Sequence, residues 1–144
     1  MITLAKGIAS GVPMGAVLVS EVIADQISYG DLGTTFGGGP LACAALEATI
    51  NVIREDGLLE NVREQSAYLF ERLARLSAVE EVRGLGFLIG IKFNQEAKHY
   101  QQRLLAHKIL TGLSDDPPVL RLLPPLTLQR REIDYFLETL ERIS

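Results

Sequence analysis

The chain has 144 residues, 47% of them hydrophobic, and a formal net charge of −4 at pH 7, which suits one ordinary domain or two small lobes, each with an apolar core. Acidic and basic side chains are interspersed, with no basic stripe to neutralise a phosphate backbone and no apolar run near the ~20 residues that span a bilayer, so neither nucleic acid nor a membrane is an expected partner. A single cysteine, Cys43, and two isolated histidines, His99 and His107, exclude an internal disulfide and offer no metal-ligand set, and the start from Met1 to Gly7 has no secretory pattern, so the expected compartment is the cytoplasm.

From Thr3 to Glu21 short apolar pieces are interrupted by Gly7, Gly11, Pro13 and Gly15, which predicts strand ends and tight turns. Within them Ala16-Val17-Leu18-Val19 reads as a short strand buried on both faces. Polar turn residues Tyr29-Gly30-Asp31 precede the glycine-rich stretch Gly33-Thr34-Thr35-Phe36-Gly37-Gly38-Gly39-Pro40. Beyond Pro40, which suits the first turn of a helix, Leu41, Ala44, Ala45, Ala48 and Val52 recur at three and four, predicting a helix to Glu55 that Asp56-Gly57 stops. A second helical pattern runs from Leu58 through Val62, Leu69, Leu73 and Leu76 and should end near Ser77.

Val82, Leu85, Phe87, Ile89, Ile91 and Phe93 then alternate or nearly so, with Gly84, Gly86 and Gly90 between them, which predicts two short strands or one kinked hairpin. Residues from about Glu96 to His107 read as helix, Lys108 to Gly112 as a short strand, and Asp115-Asp116-Pro117-Pro118 as a turn. Val119 to Leu123 is a strand stopped by Pro124-Pro125, and Arg130 to Ile143 places Ile133, Phe136, Leu137, Leu140 and Ile143 on one stripe of an amphipathic closing helix. Mixed strands and helices give α/β or α+β, with the one plausible domain boundary near the end of the second helix, dividing residues 1–78 from 79–144.

Three places could carry chemistry. Lys6 ends a short apolar strand and is followed at once by a glycine and a turn, which describes either a snorkelling strand-end lysine or a reactive amine. A lysine in a partly dry site has a lowered pKa and can form a Schiff base with an aldehyde. The stretch Gly33 to Pro40 offers the hydroxyls of Thr34 and Thr35 and bare glycine amides before a helix N-terminus, an arrangement that can bind an anion or be only a turn. A Schiff-base lysine and a phosphate loop in one chain suggest a phosphorylated aldehyde cofactor. Arg121, set among Val119, Leu120, Leu122 and Leu123, needs a partner, either a structural carboxylate or that of a ligand. Cys43 and Thr49 fall on helical faces as packing residues.

Thr3-Leu4-Ala5-Lys6-Gly7-Ile8, then Gly11-Val12-Pro13-Met14-Gly15-Ala16, then Gly33-Thr34-Thr35-Phe36-Gly37-Gly38 with Pro40-Leu41-Ala42-Cys43, together resemble class III aminotransferases of the acetylornithine/ornithine type. Val82-Arg83-Gly84 with Gly86, and Arg121-Leu122-Leu123-Pro124-Pro125-Leu126, look like later landmarks of that family in the same order, so the resemblance spans nearly the whole chain. Leu32 and Gly39 stand where the family commonly has a histidine and an asparagine.

The resemblance implies an α/β fold: the carboxy-terminal part of a pyridoxal-phosphate-dependent transferase of fold type I, ending the large domain and adding the small carboxy-terminal domain. It implies that Lys6 holds pyridoxal 5′-phosphate, that Thr35, with Thr34 beside it, serves the cofactor phosphate, usually that of a neighbouring subunit, and that Arg121 receives the substrate α-carboxylate. The implied partners are small-molecule amino acids and 2-oxo acids, with an amino group passing from N-acetylornithine or a similar donor to 2-oxoglutarate in a homodimer. The family's phosphate-binding Gly-Thr turn, its ring-stacking aromatic residue and its pyridinium-pairing aspartate precede the lysine and have no counterpart here. The expectation is therefore weak or no activity for this chain by itself; the rival expectation is a non-enzymatic lobe or association module without cofactor.

Overall fold

The computed structural model describes residues 1–34 and 38–144, which form two compact units, Met1–Asp56 and Gly57–Ser144. In the first, β1 (Ile2–Leu4) and β2 (Ala16–Leu18) pair antiparallel, with Thr3 opposite Val17 and Leu4 opposite Ala16. Between them lie a 3-10 turn, Lys6–Ala9, and the glycine- and proline-punctuated loop that forbids a longer helix. A single turn, α1 (Glu21–Ala24), follows; four residues carry no periodicity, and nothing in the sequence announces it. The helix predicted after Pro40 is α2 (Pro40–Glu55), with Gly39 in extended conformation as its cap.

One expectation fails in this unit, and a second apolar surface is open as well. The strand read as buried on both faces is open, with Val17 and Leu18 60% and 52% exposed, and the apolar stripe of α2 is open at Leu41 and Val52. A two-stranded sheet provides no second layer to cover either. Among the described residues of this unit only Ala9 and Ala42 are buried.

The second unit begins with α3 (Leu58–Leu73), entered through Gly57 in the left-handed region, where only glycine is free of penalty. β3 (Val79–Leu85) and β4 (Leu88–Phe93) then form the expected hairpin through the two-residue turn Gly86-Phe87. α4 (Ala97–Ala106), β5 (Gly112–Leu113), β6 (Val119–Leu122) and α5 (Arg130–Ile143) complete it. The sheet order is β3-β4-β6-β5 and every neighbouring pair is antiparallel. The predicted strand at 108–112 is displaced to Gly112–Leu113, because Lys108 turns the chain at φ +62 just before it.

Alternation decides which face is covered. Ile89, Ile91 and Phe93 of β4 and Leu120 and Leu122 of β6 are buried and join Leu69 and Leu73 of α3, Leu104 of α4, and Ile133, Phe136, Leu137 and Leu140 of α5 in one core. Phe93 stacks on Tyr100 with ring centroids 3.9 Å apart. Gly90 and Arg121, one step out of phase, lie on the open face. Because Leu69 and Leu73 are part of this core, α3 belongs with the second unit, so the compact units divide after Asp56, whereas the sequence reading divides the chain after residue 78; α3 also ends at Leu73, short of Ser77.

Polar contacts join α3 to the closing helix. Asn61 Nδ2 donates to the carbonyls of Leu126 (2.8 Å) and Leu128 (3.1 Å), Tyr68 donates to Asp134 Oδ1 (2.6 Å), and Arg130 donates to Gln65 Oε1 (2.9 Å) while its guanidinium lies 3.6 Å from the Tyr68 ring centroid. A reciprocal capping box starts α5: the Gln129 side chain receives the Glu132 amide, and the Gln129 backbone N–H donates to Glu132 Oε2 at 2.9 Å. Among the described residues no helix is long and apolar enough to cross a membrane.

Candidate functional site

Lys6 opens the 3-10 turn directly after β1, with a backbone φ of +59, in the left-handed region that a lysine enters only at a cost of order 1–3 kcal/mol. The residue before it is fully extended (Ala5, φ −158) and the turn closes at Ser10, also left-handed at φ +48, whose N–H donates to the Gly7 carbonyl. The strained turn is anchored from α2. Thr49 donates to the Ala45 carbonyl (2.7 Å), which spends its single proton, so the 2.9 Å contact between Ser10 Oγ and Thr49 Oγ1 has Ser10 as donor. Ala9, fully buried, is the apolar half of the same anchor.

Lys6 itself is exposed, and among the described residues no carboxylate lies within ion-pair distance of it. Its amine is therefore uncommitted and open to solvent; the described residues do not form the partly dry setting that the reactive reading calls for. Sequence reading singled out Lys6 but missed Ser10 and read Thr49 as packing. The two hydroxyls are 39 positions apart, and no local pattern could have joined them.

Thr34 is exposed and ends the described part of the glycine-rich stretch; Thr35 lies outside the described residues. Gly38 (φ +75) and Gly39, the cap of α2, lie just before Pro40 in the first turn of that helix. Pro40 has no N–H, but among the described residues the amides of Leu41 and Ala42 have no carbonyl partner, so this end of a 16-residue helix presents those N–H groups and the positive end of its dipole. Cys43, expected to pack, is exposed and donates its Sγ–H to the Gly38 carbonyl at 3.3 Å, bracing the approach to the helix. An uncommitted lysine amine and a helix N-terminus preceded by threonine are the donor types that a phosphorylated aldehyde needs, so the residues present fit pyridoxal phosphate in kind.

Arg121 belongs to the second unit. It sits at the middle of β6, opposite Gly90 on β4 and Gly112 on β5, on the open face of the sheet. It is exposed and, among the described residues, has no carboxylate within 4.0 Å, whereas Arg83 on the same face is paired with Asp116 at 3.3 Å. Of the two partners that the sequence leaves open for Arg121, the structural carboxylate is the one not found among the described residues. Arg121 also lines two hollows of this unit, of about 590 and 220 Å³, the larger walled mainly by apolar residues such as Leu123, Pro124 and Tyr135. Lys6 and Thr34 on one hand and Arg121 on the other thus belong to different units.

Comparison with known proteins bears on the family of the whole chain. The family described as Aminotransferase class-III matches residues 1–144. Acetylornithine aminotransferase of Methanocaldococcus jannaschii is 40% identical over 99% of this chain and 37% of its own length, and [LysW]-aminoadipate semialdehyde transaminase of Deinococcus radiodurans is 36% identical over 98% of this chain and 33% of its own. Among solved structures, ornithine aminotransferase of Toxoplasma gondii superposes with a TM-score of 0.87 at 25% identity, covering 98% of this chain and 35% of that one. The chain thus spans about a third of the length of the relatives it matches. With the family matched from Met1 to Ser144 and the fold reproduced along 98% of the chain, the chain belongs to the class III aminotransferases.

Proposed function

We propose that this chain is the carboxy-terminal part of a pyridoxal-phosphate-dependent aminotransferase that moves an amino group from N-acetylornithine, or a similar ω-amino donor, to 2-oxoglutarate. The relatives' names support the reaction type and the donor class. The observation that carries the reading is Lys6: an uncommitted amine on a left-handed backbone, in a turn whose closing residue, Ser10, is tied to Thr49 of α2. Strain of that kind persists where the surroundings fix a side chain in place for use.

Pyridoxal phosphate, when bound, would supply an electron sink that lets the amine-bearing carbon of the substrate release its proton. Lys6 Nζ is the group that would hold it and, once freed, would accept and return that proton. Thr34 and Thr35 would donate to the phosphate together with the first amides of α2. In the homodimer that the family resemblance implies, Thr35 would serve the neighbouring subunit's phosphate. Arg121 would take the substrate α-carboxylate in a planar, bidentate pair.

The open apolar surface of residues 1–56 supports a second element of the reading: the chain by itself is weak or inactive. The test is an absorbance titration of the purified chain with pyridoxal phosphate, borohydride reduction and peptide mapping, with Lys6→Ala as control. Stoichiometric trapping at Lys6 that the substitution abolishes is the expected result. Labelling scattered over surface lysines and unchanged in Lys6→Ala would leave the non-enzymatic lobe as the better description.

A further inference from the structure

Arg83, Gly90, Arg121 and Gly112 lie side by side across β3, β4, β6 and β5, as the register Arg83↔Gly90, Gly90↔Arg121 and Gly112↔Arg121 requires. Arginine therefore alternates with glycine along one row of the open face. The two glycines do different things. A Cβ added at Gly90 would first meet Arg83 Cγ and Val119 Cγ1, both at 3.4 Å, and then Arg83 Nε at 3.6 Å. A Cβ added at Gly112 would sit 3.3 Å from Arg121 Nε and 3.5 Å from Nη2. The guanidinium of Arg121 thus leans outward over β5 and rests on the bare backbone of Gly112.

We propose that Gly112 is a positioning residue: its missing side chain leaves the shelf on which the Arg121 guanidinium lies, and so sets the plane in which a carboxylate is received. The proposal rests on the reading of Arg121 as the carboxylate receptor. A guanidinium pairs with a carboxylate through two parallel N–H···O bonds in one plane, so its tilt matters as much as its presence. A methyl group at 112 stands closer to Nε than most carbon contacts allow, and the guanidinium must lift by a few tenths of an ångström. Gly112 is not in the left-handed region, so alanine there adds the contact without adding backbone strain.

The experiment is a titration of the full ¹⁵N-labelled chain with glutarate, following the arginine side-chain Nε–Hε resonances, with Arg121 assigned by Arg121→Lys. In the unsubstituted chain the Arg121 resonance should shift saturably. In Gly112→Ala it should start from a displaced position and titrate with a Kd raised about three- to tenfold, the scale of a sub-ångström misplacement. The melting temperature should be unchanged, and Gly90→Ala should titrate like the unsubstituted chain. A responsive Arg121 whose Kd in Gly112→Ala stays within about twofold, or falls equally short in Gly90→Ala, overturns the role of Gly112 and leaves Arg121 standing. An Arg121 silent to glutarate in the unsubstituted chain removes the carboxylate reading itself, and this inference with it.

Discussion

Gly84→Ala should be the most damaging small substitution in the second unit. Gly84 has φ +139, a conformation that side chains other than hydrogen rarely tolerate, and a Cβ built there would lie 1.9 Å from the Leu88 carbonyl oxygen, 3.0 Å from its carbon and 3.1 Å from Ile89 Cα. All three are backbone atoms of β4, so no side chain can rotate away; β3 and β4 must separate by more than an ångström or the backbone at 84 must change region. Backbone strain of order 1–3 kcal/mol and overpacking of similar size together predict a loss of about 3–5 kcal/mol. That is a large part of the ~5–15 kcal/mol that holds a domain together. Urea unfolding followed by circular dichroism reads it directly: with a slope of ~1–3 kcal/mol/M, the midpoint should fall by more than about 1 M. Gly90→Ala, whose Cβ makes only tight but ordinary contacts, is the control and should lose less than about 1 kcal/mol. A Gly84→Ala midpoint no lower than that of Gly90→Ala would refute the claim that the two strands are locked at this approach.

Leu69→Ala, at a position 1% exposed in the core, should cost about 2–5 kcal/mol in the same assay. Asn61→Ala leaves the carbonyls of Leu126 and Leu128 without their donor and should cost about 1–3 kcal/mol, with faster amide exchange confined to residues 126–129. The Glu132 carboxyl is held below the usual carboxylate range, first by the hydrogen bond from Arg131 and also by the backbone N–H of Gln129. A depressed carboxyl contributes stability that is fully present above its ordinary pKa and fades as pH falls through the depressed one, so the deficit of Glu132→Gln should be present at neutral pH and vanish in acid, as stability curves against pH will show. The open apolar side chains of residues 1–56 should make the purified chain bind a fluorescent hydrophobic dye while its second-unit core signals remain sharp; no dye binding would contradict the exposure seen at Val17, Val22 and Leu41.

Periodicity made the helices legible. The stripes of α3 and α5 are buried in the structure, and α5 runs from Arg130 to Ile143 as read, because in the second unit a sheet face lies opposite them. Apolar pattern misled at Val17 and Leu18, read as a strand buried on both faces: it says that a side chain suits burial, and burial also needs a neighbour, which the described residues of the first unit do not supply there. The candidate site was legible where chemistry is scarce, as with one lysine beside a glycine turn and one arginine inside an apolar strand. What supports those residues was not. The left-handed backbone of Lys6, the Ser10–Thr49 contact and the bare shelf at Gly112 come from pairings 39 positions apart or from strand register, which local sequence does not encode.

The uneven distribution of buried side chains also has a calorimetric consequence. The heat-capacity step of unfolding scales with the apolar surface hidden beforehand, and almost all of that surface lies between Gly57 and Ser144. A scanning calorimeter would therefore register one cooperative endotherm sized to the second unit, while residues 1–56 would melt as a sloping baseline.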